Sequence, residues 1–144
     1  HAQHTVFAAL ADQDVDLRGI VLKPSMVISG AGAADRAAIK EVAQETLRCL
    51  LSTVPAAVPG IAFLSGGQSD EEATQHLNAM NEIGGSLPWA VTFSYGRALQ
   101  AAAMKRWAGY SDNVESARQV AFHRAQMNAA AALGQYSSEM EKAA

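Results

Sequence analysis

The sequence predicts an α/β fold built on a parallel sheet, and three observations carry that expectation. Short apolar runs of strand type alternate with helix-length segments, in the order helix, strand, helix, strand, helix, strand, helix, helix. Alternation of this kind means βαβ units with right-handed crossovers. Each apolar run stops in polar or glycine-rich residues: Lys23, then Ser65-Gly66-Gly67, then Ser94-Tyr95-Gly96-Arg97. With 144 residues, 49% of them apolar, the chain has the size of about one domain and enough material for a core.

Val6, Phe7 and Leu10 recur at helical spacing within residues 1–11, and the acidic cluster Asp12 to Asp16 ends the pattern. A helix already under way at His1 reads as a chain entered part-way through. In the next stretch, Leu17 to Val27, the residues Ile20, Val21 and Leu22 suit a strand buried on both faces, with Lys23 where it stops. Pro24 lacks an N–H and biases Lys23 towards extended backbone, so the chain should turn away here. Ser29 to Ala34 is a small-residue loop, and Asp35 is expected to cap the following helix. Ile39, Val42, Ala43, Thr46, Leu47 and Leu50 form its apolar face, opposite Lys40, Glu41, Gln44, Glu45 and Arg48. Cys49, among Leu47, Leu50 and Leu51, reads as a small buried hydrophobe.

Pro55 and Pro59 bracket a turn before the second strand, Gly60 to Leu64. Ser69 with Glu72 three residues on makes a capping box, opening a helix that carries Ala73, Leu77 and Met80 inward. Gly84, Gly85 and Pro88 mark a loop and Trp89 to Phe93 the third strand. A helix then runs through Leu99, Ala102, Ala103 and Trp107 and breaks at Gly109. Asp112 with Glu115 repeats the capping pattern and opens an alanine-rich helix to about Leu133. Residues 1–136 are thus one folded unit, and 137–144 a small polar tail.

The net charge of -3, with no basic stripe interleaved with aromatics, argues against nucleic acid as a partner. No apolar run has the length of a membrane span, and no targeting pattern is visible. Cys49 is the only cysteine, which fits a reducing, cytoplasmic compartment. His1 and His4 have no third ligand beside them, so neither metal nor cofactor is expected. His76 and His123 read as packing or surface residues, Trp89, Trp107 and Phe122 as core or interface, and Glu71-Glu72 as a first-turn charge bias. Gly66-Gly67-Gln68-Ser69 lacks the Lys-Ser/Thr of a nucleotide-binding P-loop.

In a parallel sheet all three strand ends lie on one edge, where (β/α)8 barrels build their active sites and their phosphate sites. Glycines let backbone N–H groups approach an anion, a helix N-terminus adds a favourable dipole, and Arg97 offers a bidentate grip. Ser65 and Ser94 add hydroxyls. Singly, Ser-Gly-Gly before a helix is an ordinary turn and Gly-Arg is commonplace. At successive strand ends they point together to phosphate. For Lys23 the plain alternative is a snorkelling surface residue. A lysine rooted in a barrel interior near positive charge, however, gives up its proton more readily. A neutral amine then forms a Schiff base with a ketone, and the iminium draws in electrons as a carbon–carbon bond breaks. The residues themselves point to a sugar-phosphate lyase working through Lys23.

The stretches VLKPSMV, VPAAVPGIAFLSGGQSDEEATQHLNAMN and PWAVTFSYGRALQAAAMKRW resemble class I fructose-bisphosphate aldolase, over about His4 to Tyr136. The resemblance implies that Lys23 is the Schiff-base lysine and that Ser65, Gly66, Gly67, Ser94, Gly96 and Arg97 hold the ketose phosphate, with Leu64 beside them. It implies a metal-free, homotetrameric enzyme of glycolysis and gluconeogenesis that reversibly cleaves fructose 1,6-bisphosphate to dihydroxyacetone phosphate and glyceraldehyde 3-phosphate. It also implies a TIM barrel, which needs eight strands and roughly 250 residues. The strands here resemble the sixth, seventh and eighth, so residues 1–136 are the C-terminal part of one barrel domain, closed by a C-terminal helix. The family's acid–base aspartate, glutamate and further lysines come from earlier strands. The N-terminal part of the same barrel is therefore an expected partner, without which the chain is expected to be inactive. The terminal tyrosine of vertebrate members is missing after Glu141-Lys142-Ala143-Ala144. Two other readings stay open. One is a non-catalytic phosphate-binding or interaction fragment that needs a complementary chain, since three strands leave open sheet edges. The other is a Schiff-base aldolase of another sugar phosphate.

Overall fold

Parallel strands β1 (Val21–Leu22), β2 (Gly60–Phe63) and β3 (Ala90–Phe93) lie side by side in that order in a computed structural model that describes residues 1–143. Ala144, the end of the predicted tail, lies outside the described residues. Five α-helices accompany the strands among the described residues: α1 (Ala2–Asp12), α2 (Ile39–Thr53), α3 (Asp70–Ile83), α4 (Arg97–Trp107) and α5 (Val114–Ala132). None of them is long and apolar enough to cross a membrane.

The register sorts the strand residues into two faces. Val21 pairs with Gly60 and Gly60 with Ala90, while Leu22 pairs with Ile61 and Ile61 with Val91. Successive side chains alternate across a strand, so each of these rows points to one side. Ile61, Phe63 and Val91 face the helices and are buried with Val42, Leu50, Leu77 and Met80 in the core. Val21, Gly60, Ala62, Ala90 and Thr92 face the other way, where nothing in the described chain covers them. Val21 is consequently 65% exposed. The expectation of a first strand buried on both faces is therefore corrected: in this chain β1 is a two-residue edge strand with helices on one side only.

The helices follow their apolar patterns. Val42, Ala43, Thr46, Leu47 and Leu50 are the buried face of α2, and Ala73, Leu77 and Met80 are inaccessible on α3. The Ser69 capping box forms in both directions: Glu72 N–H donates to Ser69 Oγ at 3.1 Å, and Ser69 N–H to Glu72 Oε2 at 2.8 Å. The turn after α2 is closed from a distance, the Trp89 indole donating to the Pro55 carbonyl at 3.0 Å. Leu64 and Trp89 themselves fall just outside the strands they were expected to begin or end.

Other expectations change. Asp35 does not cap α2: Ala38 holds that position without a side-chain bond, because the Ser29 hydroxyl accepts the Ala37 N–H at 2.7 Å and keeps the preceding chain out of the helix. The second capping box is absent as well. Ser111–Asn113 forms a 3-10 turn, and the Asn113 amide reaches back to the Trp107 carbonyl at 3.2 Å in place of capping α5. Cys49 is only half-buried, its thiol 3.7 Å from Gln3 Oε1. Trp89 is a core residue, whereas Trp107 and Phe122 are exposed on α4 and α5 and are not part of the core.

The segment read as a polar tail folds back as a 3-10 turn, Ser138–Ala143. Glu141 accepts two hydrogen bonds from Arg124 Nη1, at 2.7 and 2.6 Å, and one from the Tyr136 hydroxyl at 2.9 Å. His123 Nε2 stands 2.9 Å from the same carboxylate. Burial alone would raise the Glu141 carboxyl, but these hydrogen bonds outweigh it and hold the group below its ordinary range. Arg124 is buried and also donates to Thr74 Oγ1 at 2.7 Å, so the tail is pinned through α5 to α3.

Candidate active site at the strand ends

Lys23 follows β1 directly. Carrying the register one step on places it beside Ala62 and Thr92, on the uncovered face of the sheet. Pro24 and Met26 are buried while Lys23, Ser25 and Val27 are exposed, the alternation of an extended chain that keeps one side against the core. Pro24 has no N–H to give, yet its carbonyl accepts the Leu64 N–H at 3.0 Å, so β1 and β2 stay joined past the proline. Lys23 is thereby fixed at its backbone, and among the described residues its amine makes no hydrogen bond or ion pair.

The second strand ends in a tight turn. Gln68 N–H donates to the Ser65 carbonyl at 3.2 Å across Gly66 and Gly67. Gly67 has φ +77°, a left-handed conformation, and a Cβ there would stand 2.8 Å from Ile28 Cδ1. Ser65 is buried, and its Oγ accepts the Ala98 N–H at 3.4 Å, which ties this loop to the first turn of α4.

The third strand ends against the second. Ser94 N–H donates to the Phe63 carbonyl at 2.8 Å, and its hydroxyl lies 3.1 and 3.2 Å from the Ala62 and Phe63 carbonyls. That hydroxyl already serves the backbone, so the structure gives Ser94 a shaping part. The Tyr95 hydroxyl donates to the Ala73 carbonyl at 2.7 Å, and burial raises its pKa well above the ordinary phenol value. Gly96 holds the cap position of α4 without a side chain in front of the first-turn N–H groups, and a Cβ there would meet nothing within 4 Å. Arg97 is exposed beside it. A helix N-terminus without an obstructing side chain, next to an arginine, favours an anion.

The strand ends thus gather Leu64, Ser65, Gly66, Gly67, Ser94, Gly96 and Arg97 on one edge, with Lys23 one strand away on the same edge. Sequence reasoning overlooked Arg36, and it read His76 as a packing or surface residue without its tie to Gln68. From the loop after β1, Arg36 Nη2 donates to the Gly67 carbonyl at 3.1 Å, and its Nε lies 3.4 Å from Glu72 Oε1. The Ser69 N–H chiefly, with Arg36 adding to it, holds the Glu72 carboxyl below its usual range. His76 Nδ1 is 2.7 Å from Gln68 Oε1, and burial first of all lowers the imidazole pKa. Among the described residues no group of three or more His, Cys, Asp and Glu is placed to hold a metal.

The family profile described as glycolytic, fructose-bisphosphate aldolase class-I, matches residues 2–144. The chain belongs to the class I fructose-bisphosphate aldolase family. A probable class 1 aldolase from Xanthomonas campestris is 52% identical over 133 residues, which are 92% of this chain and 40% of that protein. Fructose-bisphosphate aldolase 1 of Caenorhabditis elegans is 47% identical over 135 residues, 93% of this chain and 37% of the relative. The Plasmodium falciparum aldolase, solved in complex with TRAP and a small-molecule inhibitor, superposes with a TM-score of 0.91 at 46% identity, covering 94% of this chain and 39% of that one. The chain therefore spans about two fifths of the length of the aldolases it matches, and its three parallel strands are consistent with the last βα units of the family's TIM barrel.

Proposed function

We propose that this chain carries the covalent and phosphate-binding part of a class I aldolase that reversibly cleaves fructose 1,6-bisphosphate. The observation that carries the reading is the shared edge: a lysine whose amine has no partner among the described residues, two strand-end loops and the N-terminus of α4 all open there. Lys23 attacks the substrate ketone and, with loss of water, forms an iminium. A base takes the proton of the C4 hydroxyl, the C3–C4 bond breaks, and its electron pair passes into the iminium to give an enamine while glyceraldehyde 3-phosphate departs. Protonation of the enamine at C3 and hydrolysis release dihydroxyacetone phosphate and restore the amine. The Gly66-Gly67 turn, the N–H groups beside Gly96 and the Arg97 guanidinium hold the ketose phosphate. Leu64 lines the pocket, and Ser65 keeps its own proton for the ligand while accepting from Ala98.

The acid–base groups belong to the part of the barrel outside this chain, which is its closest partner. The complete enzyme is read as a cytoplasmic homotetramer of glycolysis and gluconeogenesis. The test is reduction with borohydride in the presence of dihydroxyacetone phosphate, using the complete barrel, followed by peptide mass spectrometry. The expected adduct is on Lys23; an adduct elsewhere, or none, overturns the assignment.

A further inference from the structure

We infer that Arg36 is a positioning residue for the phosphate-binding turn, clasping Ser65-Gly66-Gly67 from the loop that leaves the Lys23 strand. This rests on the reading of that turn as a phosphate site. Three contacts make the clasp. Arg36 donates to the Gly67 carbonyl at 3.1 Å and pairs with Glu72 at 3.4 Å. Glu72 in turn accepts the Ser69 N–H at 2.8 Å, and so holds the residue two places beyond Gly67. Between these, Gln68 is anchored by His76 at 2.7 Å.

The geometry explains why the turn needs an outside hold. Gly67 sits at φ +77°, and glycine populates that region without preferring it, so the backbone has other conformations available at little cost. Arg36 takes the Gly67 carbonyl and fixes the peptide's orientation, which turns the neighbouring N–H groups in a defined direction. Ile28, on the same loop as Arg36, packs where a Gly67 side chain would be. A partly open space of about 10 Å³, lined in part by Ser29, Arg36, Glu72 and His76, leaves room for no more than a single water. His76 is 3% exposed, and its Nε2 has no partner among the described residues, so the anchor on Gln68 is its one polar tie. The clasp joins the loop after the lysine strand to the loop that takes the phosphate. Arg36 also brings a positive charge to the turn.

The test is made in the complete barrel. Arg36→Ala is expected to raise KM for fructose 1,6-bisphosphate, and Kd for inorganic phosphate, by about fivefold to twentyfold, less than the full weight of one charge-assisted hydrogen bond because Arg36 is half-exposed and acts through the turn, with kcat within about twofold. Arg36→Lys, which reaches the Gly67 carbonyl but offers no fork, should recover part of that loss. Amide exchange at Gly66 to Gln68 should quicken in Arg36→Ala alone, a readout that does not depend on catalysis. Unchanged KM, phosphate affinity and exchange in Arg36→Ala would overturn the inference. If Arg97→Ala loses phosphate while Arg36→Ala does not, only the clasp fails. Absence of the Lys23 adduct in the unaltered protein removes the catalytic reading instead, and the exchange rates still decide whether Arg36 holds the turn. Arg36 is exposed enough that circular dichroism should show every variant folded.

Discussion

Ile61 and Phe63 point from β2 into the helices and are fully buried, whereas Gly60 and Ala62, their neighbours on the same strand, point to the side that no helix of the described chain covers. On the first side each position is chosen for volume and filled: Phe63 packs in a core with Leu77, Met80 and Val42. On the second side most residues are small or polar, Gly60, Ala62, Ala90, Thr92 and Ser94, with Val21 the larger apolar exception on β1, and the long cation among them is Lys23. The difference separates two jobs that one strand does at once. Packing on the helix side fixes the backbone to within a fraction of an ångström, and the open side then presents groups whose position depends on that backbone alone.

Four changes would break or sharpen this contrast. Lys23→Met in the complete barrel should lower aldol cleavage by about a thousandfold or more while leaving the thermal midpoint nearly unchanged, because the amine makes no packing contact that methionine loses. A large fall in the midpoint would mean that Lys23 belongs to the structural side. Phe63→Ala should cost about 3–5 kcal/mol in denaturant unfolding through the cavity it leaves, with KM for the bisphosphate little altered in the protein that remains folded.

Glu141→Gln should cost about 1.5–3 kcal/mol, since Arg124 keeps its burial but loses a charged acceptor. The Glu141 carboxyl has a folded-state pKa below its unfolded one, so its stabilisation is present above the ordinary carboxylate range and is lost as pH falls through the folded value. Melting followed from pH 7 towards pH 3 should fall less steeply in Glu141→Gln than in the unaltered protein; parallel slopes would argue against the tail contact. Smallest of the four, Val21→Ser in the complete barrel should cost about 1–2 kcal/mol, because closing the barrel turns the open face inward. A change below about 0.5 kcal/mol would mean that Val21 stays exposed as it is here.

What the sequence reveals depends on how far apart the interacting residues lie. The α3 capping box is complete within four residues, so Ser69 and Glu72 announce it without help from the rest of the fold. The cap expected at Asp35 fails because Ser29, eight residues from Ala37, takes the N–H that matters. The tail's role is hidden for the same reason: Glu141 looks like a surface acid until Arg124, 17 residues away, is seen buried between it and Thr74. The strand-end groups are legible because parallel topology alone brings them to one edge. Arg36 is not, since its partner Gly67 lies 31 residues along the chain and accepts through a backbone carbonyl, which no residue type betrays.

The register of the sheet has a kinetic consequence. Val21 meets Gly60 and Gly60 meets Ala90, so every strand pair spans a complete intervening helix before its first hydrogen bond can form. Closing loops of that length costs entropy before any contact rewards it, which slows the sheet relative to the helices. Helices α2 to α5 can therefore take shape early, and the edge that holds Lys23 is assembled late. During that interval β1 presents unpaired backbone groups on a short strand, and the nascent chain is most vulnerable to mispairing where its nucleophile will finally stand.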